Sequence, residues 1–249
     1  TLYTGGTSLT GSLNASDSNA SYMGDNNGTN DYPKVAMAGD YDGDGNPEVI
    51  VGMAWDAYYS NNNYAEYAGI VAIFTDTSAN YELGDTNVWV NGSDSYNYLG
   101  NSLVVQDFNQ DGYDDILAGA PGNDTGATDA GAFYLFLGNN SLSFASDQAD
   151  NAASLILTGD TRNAQLGIDP LCLQGDNNAD GTLDIAVSSS VQGMVWWWNG
   201  GGSSTGSLSV ASATASFSGT ANSFARTLGL PLDLVIVRRG EDFRSTSKD

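Results

Sequence analysis

Short apolar runs rich in β-branched residues recur along this chain, each bounded by Gly, Asn, Asp or Ser, and no stretch sustains a 3.6-residue apolar period. The pattern predicts many short strands and few helices. One set of runs is Val49-Ile50-Val51, Ile116-Leu117-Ala118 and Ile185-Ala186-Val187. A second occupies residues 69–74, 131–136 and 193–198. A third holds Val88-Trp89-Val90, Leu155-Ile156-Leu157 and Ala215-Ser216-Phe217.

These runs belong to an internal repeat, the first thing to look for in such a sequence. Segments 40–48, 107–115 and 176–184 align without gaps, so that Asp40, Asp107 and Asp176 recur at intervals of 67 and 69 residues. Upstream of them stand Tyr22-Met23-Gly24, Tyr98-Leu99-Gly100 and Gln165-Leu166-Gly167. Each unit therefore offers four short strand-like pieces separated by turns, which is the layout of one β-propeller blade. The expected fold is all-β, with blades of four antiparallel strands at about 19–95, 96–162 and 163–222. A partial blade is expected at 1–18 and a degenerate or foreign tail at 223–249. That tail holds 5 of the 7 basic residues of the chain.

The aligned segments carry the chemistry. Asp or Asn stands at positions 1, 3 and 5 of each, where side-chain oxygens of a tight loop converge on one point. Gly at position 6 permits the reversal that turns the position-7 carbonyl inward, and a carboxylate at position 9 closes the shell. Hard oxygen donors with several negative charges select Ca²⁺ over Mg²⁺. The loops are not EF-hands, because position 12 holds Val51, Ala118 and Val187 and apolar strands stand where helices would. Metal-free Asp/Gly hairpin turns are the simpler reading. Against it, Asp40, Asp42, Asp44 and Glu48 crowd four carboxylates into nine residues and would repel one another without a cation.

Here the chain resembles the FG-GAP repeats that form the blades of the integrin α-subunit β-propeller and of many bacterial surface and secreted proteins. The Phe-Gly signature stands in altered form in the three upstream tripeptides. The Gly-Ala-Pro signature is complete in Gly119-Ala120-Pro121, whereas Gly52-Met53-Ala54 and Ser188-Ser189-Ser190 depart from it. The resemblance covers about residues 15–220. It implies calcium in the hairpin between the first and second strands of a blade, held by Asp40, Asp42, Asp44, the Asn46 backbone and Glu48. The counterparts are Asp107, Asn109, Asp111, Tyr113 and Asp115, then Asp176, Asn178, Asp180, Thr182 and Asp184, giving about three sites. It further implies a secreted or cell-surface structural and adhesion module meeting a protein or glycan ligand. The alternatives are a lectin-like propeller or a non-catalytic part of a secreted polysaccharide-degrading enzyme.

Composition narrows these choices. With 30 acidic and 7 basic residues, a nucleic-acid partner would be repelled. The chain has no histidine, which removes the commonest general base and every His-based metal site. Its single cysteine, Cys172, can form no intrachain disulfide and reads as a small buried hydrophobe. No apolar run approaches the length of a bilayer span. The chain opens on Thr1 without a basic leader and reads as a mature or excised segment.

Trp196-Trp197-Trp198 occupies an ordinary strand position, with alternation sending Trp197 to one face and its neighbours to the other. The Tyr-rich stretch 58–64 reads as a long connection of adhesive composition. Three complete units do not close a ring of normal blade geometry. The open faces are therefore expected to self-associate or to be covered within a longer polypeptide.

Overall fold

The structure, a computed structural model, describes residues 21–23, 33–60, 63–75, 80–82, 86, 88–169, 172–176, 179–180, 184–199 and 205–218. The expected partial blade 1–18, the tail 223–249, Asn178 and Thr182 lie outside the described residues.

Three antiparallel sheets follow one another in sequence. The first joins Val35–Gly39, Glu48–Met53, Ile70–Phe74 and Trp89–Asn91 in that order. The second joins Ser102–Gln106, Asp115–Ala120, Ala132–Phe136 and Leu155–Thr158. The third joins Cys172–Gly175, Asp184–Ser189, Met194–Trp198 and Ala215–Ser218. The second and third strands of each sheet are buried on both faces, which is why they read as continuous apolar runs.

Alternation along the central strands builds the cores between sheets. Ile116 and Ala118 face Ile50, Ile73 and Val90 of the first sheet, while Leu117 faces Ile185, Val187 and Trp196 of the third. In the Trp triplet, Trp196 and Trp198 enter this second core, and Trp197 packs on the far side with Ala186, Val195 and Phe217. All three indoles are buried, as packing residues should be.

The sheets depart from the expected plan at four places. The first strand of each is not the upstream tripeptide but the segment that follows it. The tripeptide instead crosses to the preceding sheet: Leu99 bridges Gly69 and Leu166 bridges Gly131. Second, Gly206–Ser209 adds a fifth, parallel strand beside Leu155–Thr158, covering an edge that would otherwise present unpaired backbone groups. Third, the Tyr-rich connection is a two-stranded arm, Tyr58–Ser60 against Asn63–Ala65. Fourth, Ser21–Met23 pairs in parallel with Asn80–Glu82, apart from the three larger sheets. Among the described residues, the α-helical content is Ala149–Ala152, with one 3₁₀ turn at Val210–Ser212.

The repeat signatures meet each other across sheet boundaries. A Cβ on Gly119 would stand 2.2 Å from the carbonyl oxygen of Gly167, and one on Gly52 would stand 2.3 Å from that of Gly100. Gly100 and Gly167 themselves have φ of +80° and +94°, a region that favours glycine. The glycine that opens the Gly-Ala-Pro position of one sheet thus admits the backbone of the next sheet's Phe-Gly position.

Candidate metal centre

Each Asp-rich loop is the hairpin between the first and second strands of its sheet. The local sequence folds it by turning side-chain oxygens onto backbone amides. In the first loop, Gly45 N–H donates to Asp40 Oδ2 at 3.0 Å, Asp44 N–H to Asp42 Oδ1 at 3.1 Å and Asn46 N–H to Asp44 Oδ1 at 2.7 Å. The second loop repeats this wrapping. Gly112 N–H donates to Asp107 Oδ2 at 2.9 Å, Asp111 N–H to Asn109 Oδ1 at 3.0 Å and Tyr113 N–H to Asp111 Oδ1 at 3.0 Å. In the third, Asp180 N–H donates to Asp176 Oδ1 at 2.9 Å.

Position 9 has a second duty. Glu48, Asp115 and Asp184 are all buried at the start of the second strand. Glu48 Oε2 accepts from Tyr41 N–H, and Asp115 Oδ2 accepts from Phe108 N–H, both at 2.8 Å. Asp115 Oδ1 also accepts from Gly138 N–H at 2.8 Å, so both of its oxygens are engaged. Burial pushes the Asp115 carboxyl up to about 6, although those two N–H groups pull it down. Burial likewise raises Glu48; Tyr41 N–H pulls it partly back, and the charges of Asp42 and Asp40 push it up further.

The first loop is the best-assembled centre. One carboxylate oxygen from each of Asp40, Asp42 and Glu48 lies within 4.8 Å of the others. Asp40 Oδ1 is buried and accepts no hydrogen bond. A buried, unpartnered carboxylate oxygen on a residue clustered with two other carboxylates is costly unless a cation neutralises it. The donor set fits a hard divalent ion. Asp44 and Asn46 are exposed and stand outside this trio, with the Asn46 amide donating to Asp44 at 3.0 Å. In the second loop Asp107, Asn109, Asp111 and Tyr113 shape the turn around the buried Asp115. In the third, Asp176 and Asp180 are exposed and Asp184 is buried.

Two features escaped sequence reasoning. Asp114, outside the ligand pattern, accepts from Asp40 N–H at 2.9 Å across the boundary between the first two sheets. Its position beside Asp115 gives no sign of that partner. The other is an aromatic patch of Trp55, Tyr67, Tyr96 and Tyr98. Tyr67 and Tyr98 stack at 6.2 Å, Trp55 meets Tyr98 edge-on at 5.1 Å, and Tyr96 lies 5.7 Å from Tyr67. Trp55 and Tyr96 are 44% and 46% exposed. Tyr67, Tyr96 and Tyr98 all have left-handed backbones, with φ of 52°, 65° and 56°. Tyr96 donates its hydroxyl to Glu66 at 2.5 Å. The clue in sequence was the concentration of Tyr around residues 58–98, although Trp55 stands alone there.

Comparison with known proteins agrees with this layout. Residues 99–136 match the FG-GAP repeat family. They run from the crossing tripeptide of the second sheet to the end of its third strand. Human integrin alpha-8 is 31% identical over 155 residues, 60% of this chain and 13% of the integrin. Integrin alpha-3 of Cricetulus griseus is 38% identical over 98 residues, 39% of this chain and 9% of the integrin. A phosphatidylinositol-glycan-specific phospholipase D of Dictyostelium discoideum is 30% identical over 119 residues, 43% of this chain and 12% of that protein. The chain thus carries an FG-GAP repeat and is distantly similar to integrin alpha subunits, spanning about an eighth of their length or less.

Proposed function

We propose that this chain is a calcium-binding extracellular module of FG-GAP β-propeller blades, with a structural and adhesive role. The observation that carries the reading is the trio Asp40, Asp42 and Glu48, with Asp40 Oδ1 buried and unpartnered. It sits in a hairpin whose pattern recurs in two further sheets. Hard carboxylate oxygens in a flexible loop suit Ca²⁺, which accepts six to eight of them without strict octahedral geometry. Asp40, Asp42 and Glu48 would hold the ion in the first loop, with Asp107 and Asp111, then Asp176 and Asp180, in the others. The ion would neutralise the crowded acids and fix the hairpin.

The adhesive surface in this reading is the patch of Trp55 and Tyr96, whose exposed rings suit a protein or glycan partner. Those exposed rings also favour the lectin-like alternative. Native mass spectrometry of the chain in millimolar calcium tests the metal reading, with about three bound ions expected. Retention of none, together with identical melting in calcium and in chelator, would overturn it. A glycan array probed with the parent chain and Trp55→Ala separates the lectin-like role from a purely protein-directed one.

A further inference from the structure

The first two Asp-rich loops are in direct contact, although 67 residues separate Asp40 from Asp107. Asp114 makes the closest link. Its Oδ2 accepts from Asp40 N–H, and its own N–H donates to the Asp40 carbonyl, both at 2.9 Å. Two further contacts flank this reciprocal pair. Asn139 N–H donates to the Tyr41 carbonyl at 3.0 Å. The Tyr113 ring lies so close to Gly43 that a Cβ there would meet it at 2.7 Å.

Each group in this contact is tied to the assembly of a metal loop. Asp40 supplies the first ligand position of loop one, and its side chain also receives Gly45 N–H. Asp114 lies between Tyr113 and Asp115, positions 7 and 9 of loop two. Asp115 in turn locks Phe108 N–H and Gly138 N–H, so the backbone around Asp114 cannot shift without disturbing loop two. A cation that draws the loop-two groups together therefore also sets where Asp114 presents its carboxylate. That carboxylate fixes the peptide plane from which Asp40 projects.

We infer that loops one and two bind calcium as a coupled pair, with Asp114 as the positioning residue that transmits the coupling. The inference rests on the calcium reading above. Filling loop two should tighten loop one, and reciprocity requires the converse by the same factor. Typical coupling between linked sites is about 5- to 150-fold in affinity, and the short path here places the expectation at roughly tenfold. Asp114 need not touch the ion. Its role is to hold Asp40 in the binding geometry before the ion arrives. Loop three shares no such link with loop one among the described residues.

The test is a calcium titration of the ¹⁵N-labelled full chain, read at the amides of Gly45 and Gly112. These amides donate to the first Asp of loops one and two and report each site separately. Asp111→Ala disables loop two from an exposed position. The expected result is that the Gly45 midpoint rises about tenfold in Asp111→Ala and stays unchanged in Asp180→Ala, which alters loop three. In an Asp114→Ala background the Asp111 effect should vanish, whereas Asp114→Asn, which keeps an oxygen acceptor, should retain it. An unchanged Gly45 midpoint in Asp111→Ala overturns the coupling, and so does an equal shift caused by Asp180→Ala. Should Asp114→Ala fail to fold, the Asp111 and Asp180 comparison still decides. A wild-type chain in which neither glycine responds to calcium overturns the calcium reading itself, and the coupling with it. Responses at both sites without mutual dependence overturn the coupling alone.

Discussion

Tyr41 in the first loop donates its hydroxyl to the backbone carbonyl of Leu137 at 2.8 Å, joining the first sheet to the second. Its ring is buried in the core between those sheets and contacts Phe144 at 5.9 Å. The corresponding residue of the second loop, Phe108, is buried in the next core without a hydroxyl. The residue after the first Asp of each of these two loops is therefore a wedge into the following sheet.

Tyr41→Phe should separate the ring from the hydroxyl. It leaves the Leu137 carbonyl without that donor and should cost about 1–3 kcal/mol. Tyr41→Ala also opens a cavity and should cost about 3–5 kcal/mol. Urea denaturation of the two variants checks both figures. Equal losses would show that the hydroxyl, not the ring, holds the boundary.

Calcium should raise the melting temperature. A ligand at a hundredfold excess over its Kd adds about 2.7 kcal/mol per site when it binds only the folded state. Among the ligand variants Asp42→Ala, Asp111→Ala and Asp180→Ala, the first should cost the most in calcium. Loop one gathers the most carboxylates and has an unpartnered buried oxygen. Differential scanning calorimetry with calcium and with chelator ranks them, and comparable losses from all three would contradict the ranking.

The metal-free chain should become more stable as the pH falls from 7 to 5. Burial holds the Asp115 carboxyl at about 6 in the folded state, above its ordinary 3.8. A raised carboxyl favours folding fully below its unfolded value and loses that contribution as the pH rises through 6. With calcium the order should reverse, since protons then compete with the ion for Glu48, a proposed ligand whose carboxyl burial also raises. Melting curves at pH 5 and 7, each with and without calcium, test the sign. A metal-free melting temperature that falls on acidification would refute it.

Gly119→Ala and Gly112→Ala should both destabilise, for different reasons. At Gly119 the new Cβ strikes the Gly167 carbonyl from the adjoining sheet, so packing must yield at about 1–3 kcal/mol. At Gly112 a Cβ meets nothing within 4 Å, but φ is +92°, and the cost is conformational, about 1 kcal/mol. Calcium affinity at loop two should fall for Gly112→Ala and hold for Gly119→Ala. Isothermal titration distinguishes them.

The central strands and the loops were legible because their constraints are local. Ile116 and Leu117 face two different cores, so both had to be apolar, and the run before them had to turn tightly on Asp and Gly. Among the first strands, Val35–Gly39 was hidden because its middle residues are exposed although apolar, so that it shows no alternation. Gly206–Ser209 was hidden as well, being short and rich in small polar residues, with a role set by the edge it covers. Of the candidate ligands, the convergence of Asp40, Asp42 and Glu48 followed the spacing, while the position of Asp44 outside that trio did not. The Asp114 link and the aromatic patch join residues remote in sequence, and their register depends on how sheets dock.

The abutting glycines also bear on how such an array can lengthen by duplication. Gly52 and Gly119 stand four residues after Glu48 and Asp115, and the residue four after Asp184 is Ser188. Ser188 already carries the Cβ that those glycines lack, and it is fully buried. A copy of the third unit, docked onto it as the third docks onto the second, would drive a backbone carbonyl to about 2.2 Å from that carbon. A further unit docked in that way would need the Ser188 Cβ or the facing carbonyl to shift, whereas glycine there would leave the room that Gly52 and Gly119 leave. The third sheet therefore differs from the first two at a position where each of them admits a neighbouring backbone.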